Sequence, residues 1–427
     1  MSSNRRLEPG TGMEGDFPVA SPREWTFMVY LAGDNNLEDF GRKDLMEIKQ
    51  VGSTDKVAIV AQFDRMQEGA TRRYYLRKGG TLEEDEMQEI GETNTGDPRE
   101  LVLFVNWAMS AYPAKHYALV LWNHGSGWKE DDVYRVAREV GVFPAGYDLD
   151  RSSLVHGFVG RRDRPSLFSS TLGAVFTRGI AYDDSSADFL DNSEMKRALG
   201  CSLLTSGVDK LALLGFDACL MNMLEVAYQI KDVAEYVVGS QETEPGEGWP
   251  YGNVLQGLLD EPSMGGEELS SVVVQEYMAS YGLGASITQS ALDLSKTSQL
   301  VVTLNEMCKY ILDHLDDCEL IIGRASRRAQ KYSDPDYVDL YDFCRLVHER
   351  SDDLPDLQQK AQAVMDLLMP AVSGQFVCAE DHRGARMSRS HGVSVYFPGH
   401  EISPFYKRLD FASESLWDDV LHQLFGV

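Results

Sequence analysis

The stretch LALLGFDACLMNMLEVAYQI, residues 211–230, changes character in its middle. Its first half lacks polar alternation and reads as a strand buried on both faces. A Met- and Leu-rich helical pattern follows, and its spacing predicts a helix that starts at Leu220. Between the two stand Asp217 and Cys219. A buried strand that runs into a helix is the repeating unit of a parallel α/β sheet, whose sites form beyond the carboxyl ends of the strands.

The same signature recurs along the chain. WTFMVYLAG (25–33), KVAIVAQFD (56–64), YALVLWNHG (117–125) and EYVVGSQE (235–242) each read as buried strands. Helical stretches separate them: DPRELVLFVNWAMSAY carries an Asp-Pro start signal, and NSEMKRALG has a cap near Ser193 and a terminal Gly. The expectation is an α/β fold with a mostly parallel central sheet flanked by helices. ASITQSALDLS (285–295) reads as a further strand, followed by long amphipathic helices and a late strand, HGVSVYFP (391–398). On this reading residues 1–23 form a disordered leader and 24–290 the core. Residues 291–427 form a mainly helical region that contributes the late strand. Within the core, 129–178 fits neither period and reads as a long exposed insertion loop holding the basic cluster GRRDRP (160–165).

Composition narrows the partners. The 427 residues are 43% hydrophobic and carry a formal charge of -27, a field that repels nucleic acid and anionic membranes and favours cationic ligands. No apolar run is long enough to span a bilayer and no secretory signal opens the chain, so the default is a cytoplasmic monomer. The six cysteines show no zinc-ligand spacing, and a chain of this size has no need of disulfides.

Two strands end in reactive residues. One gives His124 and Gly125, the other Asp217 and Cys219. A thiol needs a base or an electropositive neighbour to act as a nucleophile, and His124 supplies the base while the helix at Leu220 would supply a positive terminus. Gly125 lets the backbone approach, so its N–H and that of Cys219 can form an oxyanion hole. In an extended strand Asp217 and Cys219 project to one face. A carboxylate beside a thiolate disfavours it, which points to another role for Asp217: holding a cationic side chain. Taken alone, Cys219 would be a small buried core residue; His124 and Asp217, together with the family resemblance carried by the blocks below, reverse that reading.

The blocks WTFMVYLAGDNNLE, YALVLWNHGSGW, GFDACLMNMLEVAYQI, SQETEPGEGWPY, YVDLYDF and HGVSVYFP together resemble the clostripain family of cysteine peptidases, in the caspase-like clan. The resemblance implies an endopeptidase cleaving after Arg or Lys, with His124 and Cys219 as a dyad forming a thioester. It implies that Asp217, Glu247 and Thr243 line the substrate pocket. It also implies a zymogen activated by self-cleavage between His124 and Cys219, for which Arg161 and Arg162 are the expected positions. Many relatives are secreted and some depend on calcium; this chemistry requires no cofactor, and the sequence leaves calcium open. The acidic run DDSSADFLDNSE (183–194) is not an EF-hand loop, because Asp188 stands where that loop needs Gly. His391, which also precedes a Gly, is the rival base. Two other functions compete: a non-catalytic peptide-binding module of the same fold, and a thiol acyltransferase or ligase using the same thioester.

Overall fold

In a computed structural model of the chain, residues 22–66, 70–129, 180–186, 188–368 and 375–425 are described. Most of the expected leader and nearly all of the expected insertion, with Arg161 and Arg162, lie outside the described residues.

The strands are, in chain order, β1 (Arg23–Gly33), β2 (Val57–Arg65), β3 (Thr71–Tyr75), β4 (Glu86–Gly91), β5 (Ala114–Trp122), β6 (Ile180–Asp183) and β7 (Asp188–Leu190). They continue with β8 (Leu211–Asp217), β9 (Ala234–Gly239), β10 (Ile287–Asp293), β11 (Tyr337–Asp339), β12 (Val377–Arg383) and β13 (Ser394–Tyr396). Nine of them form one sheet in the order β12-β10-β9-β8-β5-β1-β2-β3-β4. The strands β9, β8, β5, β1 and β2 run parallel, and antiparallel pairs finish both flanks.

The missing polar alternation of these strands has a direct cause. Along β1, Phe27, Val29 and Leu31 enter one hydrophobic core, while Met28, Tyr30 and Ala32 enter the other on the opposite face. Residues two apart share a face, so a sheet covered on both sides needs apolar side chains at every position. Along β5, Ala118, Val120 and Trp122 face the first core, and Leu119 and Leu121 the second.

Several local readings change. The helix after β7 spans Asn192–Ser206 and is capped by Asp191, whose carboxylate accepts from the Glu194 N–H while Glu194 reaches back. It runs through Gly200 and stops at Gly207, which adopts the left-handed conformation. The late strand is only Ser394–Tyr396, and it pairs with β11 in a separate small sheet. The strand that lies wholly in the expected C-terminal region and joins the main sheet is β12, VCAEDHR, whose charged residues suit an edge and hide it from a search for buried runs. Position 290 falls inside β10, and one core continues from Met28 through Leu300 to Leu421. No helix among the described residues is long and apolar enough to cross a membrane.

Candidate active site

The register of β5 and β8 builds the site. The two strands are direct neighbours, and Trp122 lies opposite Asp217, so two residues further along each chain come His124 and Cys219. Beyond the last pair the Asn123 N–H still donates to the Asp217 carbonyl at 3.3 Å. Gly125 then packs against the backbone of Cys219: a Cβ there would lie 2.5 Å from the Cys219 carbonyl oxygen and 3.1 Å from its nitrogen. No side chain fits that gap, which is why the HG pair cannot be His followed by a larger residue.

The chain around Cys219 departs from the expected helix start. Leu220 has φ +63°, and the helix begins only at Leu224. A bulky residue in the left-handed region is strained, and such strain is held only where surrounding bonds dictate it. Here they do: the Leu220 N–H donates to the Glu242 carbonyl at 3.1 Å and the Asn222 N–H to the Ser240 carbonyl at 3.0 Å. Cys219 therefore sits in a sharp turn, without a helix dipole behind it. Its Sγ accepts instead from the Glu244 N–H at 3.2 Å.

His124 is held by Asn36, whose Oδ1 lies 2.8 Å from Nε2. Burial lowers the His124 pKa below its usual value and raises that of the Cys219 thiol, to which Glu242 and Asp217 add like-charge repulsion. At neutral pH both groups are therefore uncharged, and an ion pair is not preformed.

Beside the thiol lies a group of buried carboxyls. Asp217 is 5% exposed; its Oδ2 accepts from the Tyr251 hydroxyl at 2.8 Å and from the Trp249 N–H at 3.3 Å. Burial pushes its pKa up to about 6. Glu244 faces it, flanked by Gln289, and both carboxylate oxygens of Glu244 lack a hydrogen-bond donor in close geometry. The Tyr277 hydroxyl and both polar atoms of the Gln289 amide are likewise buried and unbonded. The proton belongs on Glu244: burial and the Asp217 charge raise it well above the carboxylate range, whereas Asp217 has two donors to stabilise its anion. Asp44 stands nearby, bonded to the Trp122 indole at 2.8 Å, and burial with the Asp217 charge holds it at about 9.

A sequence profile of the clostripain family matches residues 29–148 and 169–423. The chain belongs to the clostripain family. It is 23% identical to clostripain from Hathewaya histolytica over 87% of this chain and 74% of that one. Among solved structures, it is similar to a secreted C11 cysteine protease from Bacteroides thetaiotaomicron, at 15% identity with a TM-score of 0.65, covering 92% of this chain and 99% of that one. It is also similar to an inactive zymogen C11 protease from Parabacteroides distasonis, at 16% identity and a TM-score of 0.62, covering 92% and 98%. The protein is a clostripain-family cysteine peptidase with the fold of its C11 relatives.

Within this clostripain-family site, not every expected residue converges. Thr243 is partly buried, but its N–H and hydroxyl both bond to Glu242 Oε1, at 2.9 and 3.1 Å. Glu247 is exposed, and the acid of that block that reaches Asp217 is Glu244. The turn that carries Glu247 outward contains Gly248 at φ +57°, where a Cβ would meet the Asp217 carboxylate at 2.8 Å. His391 is engaged elsewhere, with Nδ1 3.1 Å from Asp339 Oδ1. The sequence reading missed Asn36, Asp44 and Glu244. A strand-end position was the available signal for Asn36, three residues past β1; Glu244 and Asp44 sit in segments whose inward faces the periodicity does not reveal. All six cysteines are unpaired, with Cys308, Cys318 and Cys344 in the core.

Proposed function

We propose that the chain is an endopeptidase that cleaves after Arg or Lys through a Cys219 and His124 dyad. The observation that carries this reading is the pair of buried carboxyls, Asp217 and Glu244, reached from the same backbone that donates to the Cys219 thiol. Two carboxyls sharing one proton present about one unit of negative charge, which matches one cationic side chain. The Glu244 carboxyl oxygens, Gln289 Oε1 and the Tyr277 hydroxyl oxygen are buried acceptors with no donor in close geometry, and a guanidinium or ammonium supplies donors to them.

The steps follow from the protonation states. A basic side chain occupies the pocket, and its charge offsets the repulsion that Asp217 exerts on the thiol. His124 takes the Cys219 proton as Sγ attacks the carbonyl carbon, and the N–H groups of Gly125 and Cys219 stabilise the oxyanion. The imidazolium returns that proton to the leaving amine as the C–N bond breaks. Water, deprotonated by His124, then hydrolyses the thioester and frees the thiol. Activation by self-cleavage after Arg161 or Arg162 belongs to the same proposal: both bonds present a basic residue to this pocket.

The test is a rate assay on purified protein with matched peptides carrying Arg, Lys or Asp before the scissile bond, run beside Cys219→Ala. Cleavage of the basic peptides alone, absent from the mutant, is expected. Preference for the Asp peptide would overturn the pocket assignment, and turnover by Cys219→Ala would overturn the nucleophile. Amino-terminal sequencing of processed protein reads the self-cleavage position, and a fully active intact chain would remove that step.

A further inference from the structure

Residues 333–337, SDPDY, lead into β11 in the C-terminal region and touch both strand ends that carry the dyad. On the Cys219 side, Ser333 grips Glu242: its N–H donates to Glu242 Oε1 at 3.2 Å, and its hydroxyl bonds the same oxygen. The Glu242 carbonyl in turn accepts the Leu220 N–H that sets the left-handed turn after Cys219. On the His124 side, the Tyr337 hydroxyl donates to the Ser126 carbonyl at 2.6 Å, two residues past His124.

Lys129 fastens that second contact. Its ammonium lies 2.9 Å from Asp334 Oδ2 and 2.8 Å from Asp336 Oδ2, and it sits over the rings of Tyr337 and Tyr396, at 5.3 and 5.5 Å. The side chains of Lys129, Asp334 and Asp336 are 20%, 23% and 27% exposed, so salt and water screen them less than an open surface pair. Both carboxylates are oriented in advance. Asp334 Oδ1 accepts from the Asp336 N–H and Asp336 Oδ1 from the Gly399 N–H, each at 3.0 Å, which leaves both Oδ2 atoms facing the ammonium.

The residues between His124 and Lys129 are held as firmly. The Ser126 hydroxyl donates to the Lys129 carbonyl at 3.1 Å, and the buried Trp128 ring packs edge-on against Tyr396 and Tyr406, with centroids 4.6 and 4.8 Å away. Gly127, at φ +69°, presses on the Cys219 turn: a Cβ there would stand 2.4 Å from Met223 Sδ and 2.9 Å from the Leu220 carbonyl oxygen.

We propose that the 333–337 loop is a brace that sets His124 and the Gly125 N–H against Cys219, and that Lys129 is its latch. Lys129 is thus a positioning residue for acyl transfer, in contact with neither substrate nor reacting atoms. The sheet alone does not fix this alignment, because strand pairing stops at Trp122 with Asp217 and the last backbone link is the Asn123 N–H to the Asp217 carbonyl. Nor does charge, since imidazole and thiol are both neutral at neutral pH. Asn36 holds the imidazole ring from the β1 side, and the brace holds the backbone that carries it.

The inference rests on the Cys219 and His124 dyad proposed above, and the test separates the two. Lys129→Met keeps the stem and removes the charge. In full-length protein assayed with the Arg peptide, at a processing state matched by mass spectrometry, it should lower kcat about tenfold or more and leave KM within about twofold. Lys129→Arg, which restores a cation to the two carboxylates, should recover most of the rate. The pair Asp334→Asn and Asp336→Asn should reproduce the loss, and adding Lys129→Met to it should cost little more, because all three act through one contact. An unchanged kcat, a loss confined to KM, no recovery by Lys129→Arg, or full additivity overturns the brace. If Lys129→Met fails to fold, Asp334→Asn alone carries the same kcat and KM test. His124→Ala is run alongside: activity that survives it removes the dyad itself, whereas an inactive His124→Ala beside an unaffected Lys129→Met removes only the brace.

Discussion

Asp217 and Glu244 are buried among aromatic side chains, with Tyr251 bonded to one and Tyr277 left unbonded beside the other. Asp34 and Asp64 are buried among hydroxyls and turns: Thr71 holds Asp64, and the Asp184 N–H caps the Asp34 carbonyl. Both groups lie at the carboxyl end of the same sheet, yet they solve the cost of buried charge differently. The first shares a proton and keeps flat, apolar walls, which suits the stem and head of a long organic cation. The second keeps one Asp64 oxygen on the Thr71 hydroxyl and leaves the other without a close donor. Counting acids would not distinguish them; the orphaned oxygens and the character of the walls do.

The largest expected effect breaks the first group. Asp217→Asn should cut kcat/KM on Arg and Lys peptides by about 10²-fold or more, because an ion pair removed from a buried pocket leaves the cation unpaired. Cleavage of a neutral peptide should change far less, and an equal loss on both would make Asp217 a structural residue. Glu244→Gln, which imitates the protonated acid, should stay within about threefold of wild type. A loss as deep as that of Asp217→Asn would move the negative charge to Glu244.

The pH profile sharpens the contrast. Asp217 titrates near 6, so kcat/KM on basic peptides should fall as pH drops through that value, whereas a neutral peptide should keep its rate down to the lower limb set by His124. Coincident profiles for the two substrates would remove Asp217 from cation binding. Asp44, Glu47, Glu244 and Tyr251 face or surround this carboxyl, and only Asp217 among the acids has the two donors that keep it ionised at neutral pH.

A smaller effect concerns stability. Asp44 has a folded pKa near 9 against an ordinary 3.8, so its contribution is complete below about pH 4 and is lost as pH rises through about 9. Asp44→Asn keeps an acceptor for Trp122 and removes the charge. It should raise Tm at pH 9 by at least about 2 °C and leave Tm at pH 4 unchanged. Smallest of all, Asp34→Asn should leave the ratio of Arg to neutral cleavage unaltered even where the overall rate falls. A changed ratio would mean that the two acidic groups are one site.

Much of this was legible in the sequence because burial on both faces writes itself into every residue of a strand. β1, β2, β5, β8 and β9 could be read directly, and with them the placement of His124 and Cys219 at neighbouring strand ends. β12 could not, since an edge strand tolerates Glu380, Asp381 and His382. The helical pattern after Cys219 was real but began four residues late, at Leu224 rather than Leu220. Propensity does not report a left-handed turn imposed by the Ser240 and Glu242 carbonyls. The exchange of Glu247 for Glu244 has the same origin: three positions in an irregular loop separate a surface carboxyl from a buried one, and no period governs which is which.

The order of strands in the sheet carries a consequence for the cleaved protein. Everything before residue 130 supplies β4-β3-β2-β1-β5, and everything after 179 supplies β8-β9-β10-β12. A cut anywhere between those positions yields two polypeptides that do not interleave. Each keeps a contiguous half-sheet, joined along one seam of parallel pairing from Ala118 with Leu213 to Trp122 with Asp217. His124 stands on one side of that seam and Cys219 on the other, so a chain cut there would be a heterodimer with the proposed dyad at its interface. Asp44 facing Asp217, and Asp34 holding the Asp184 N–H, are then contacts between subunits, and dissociation of the halves would be a mode of inactivation that the single chain does not have.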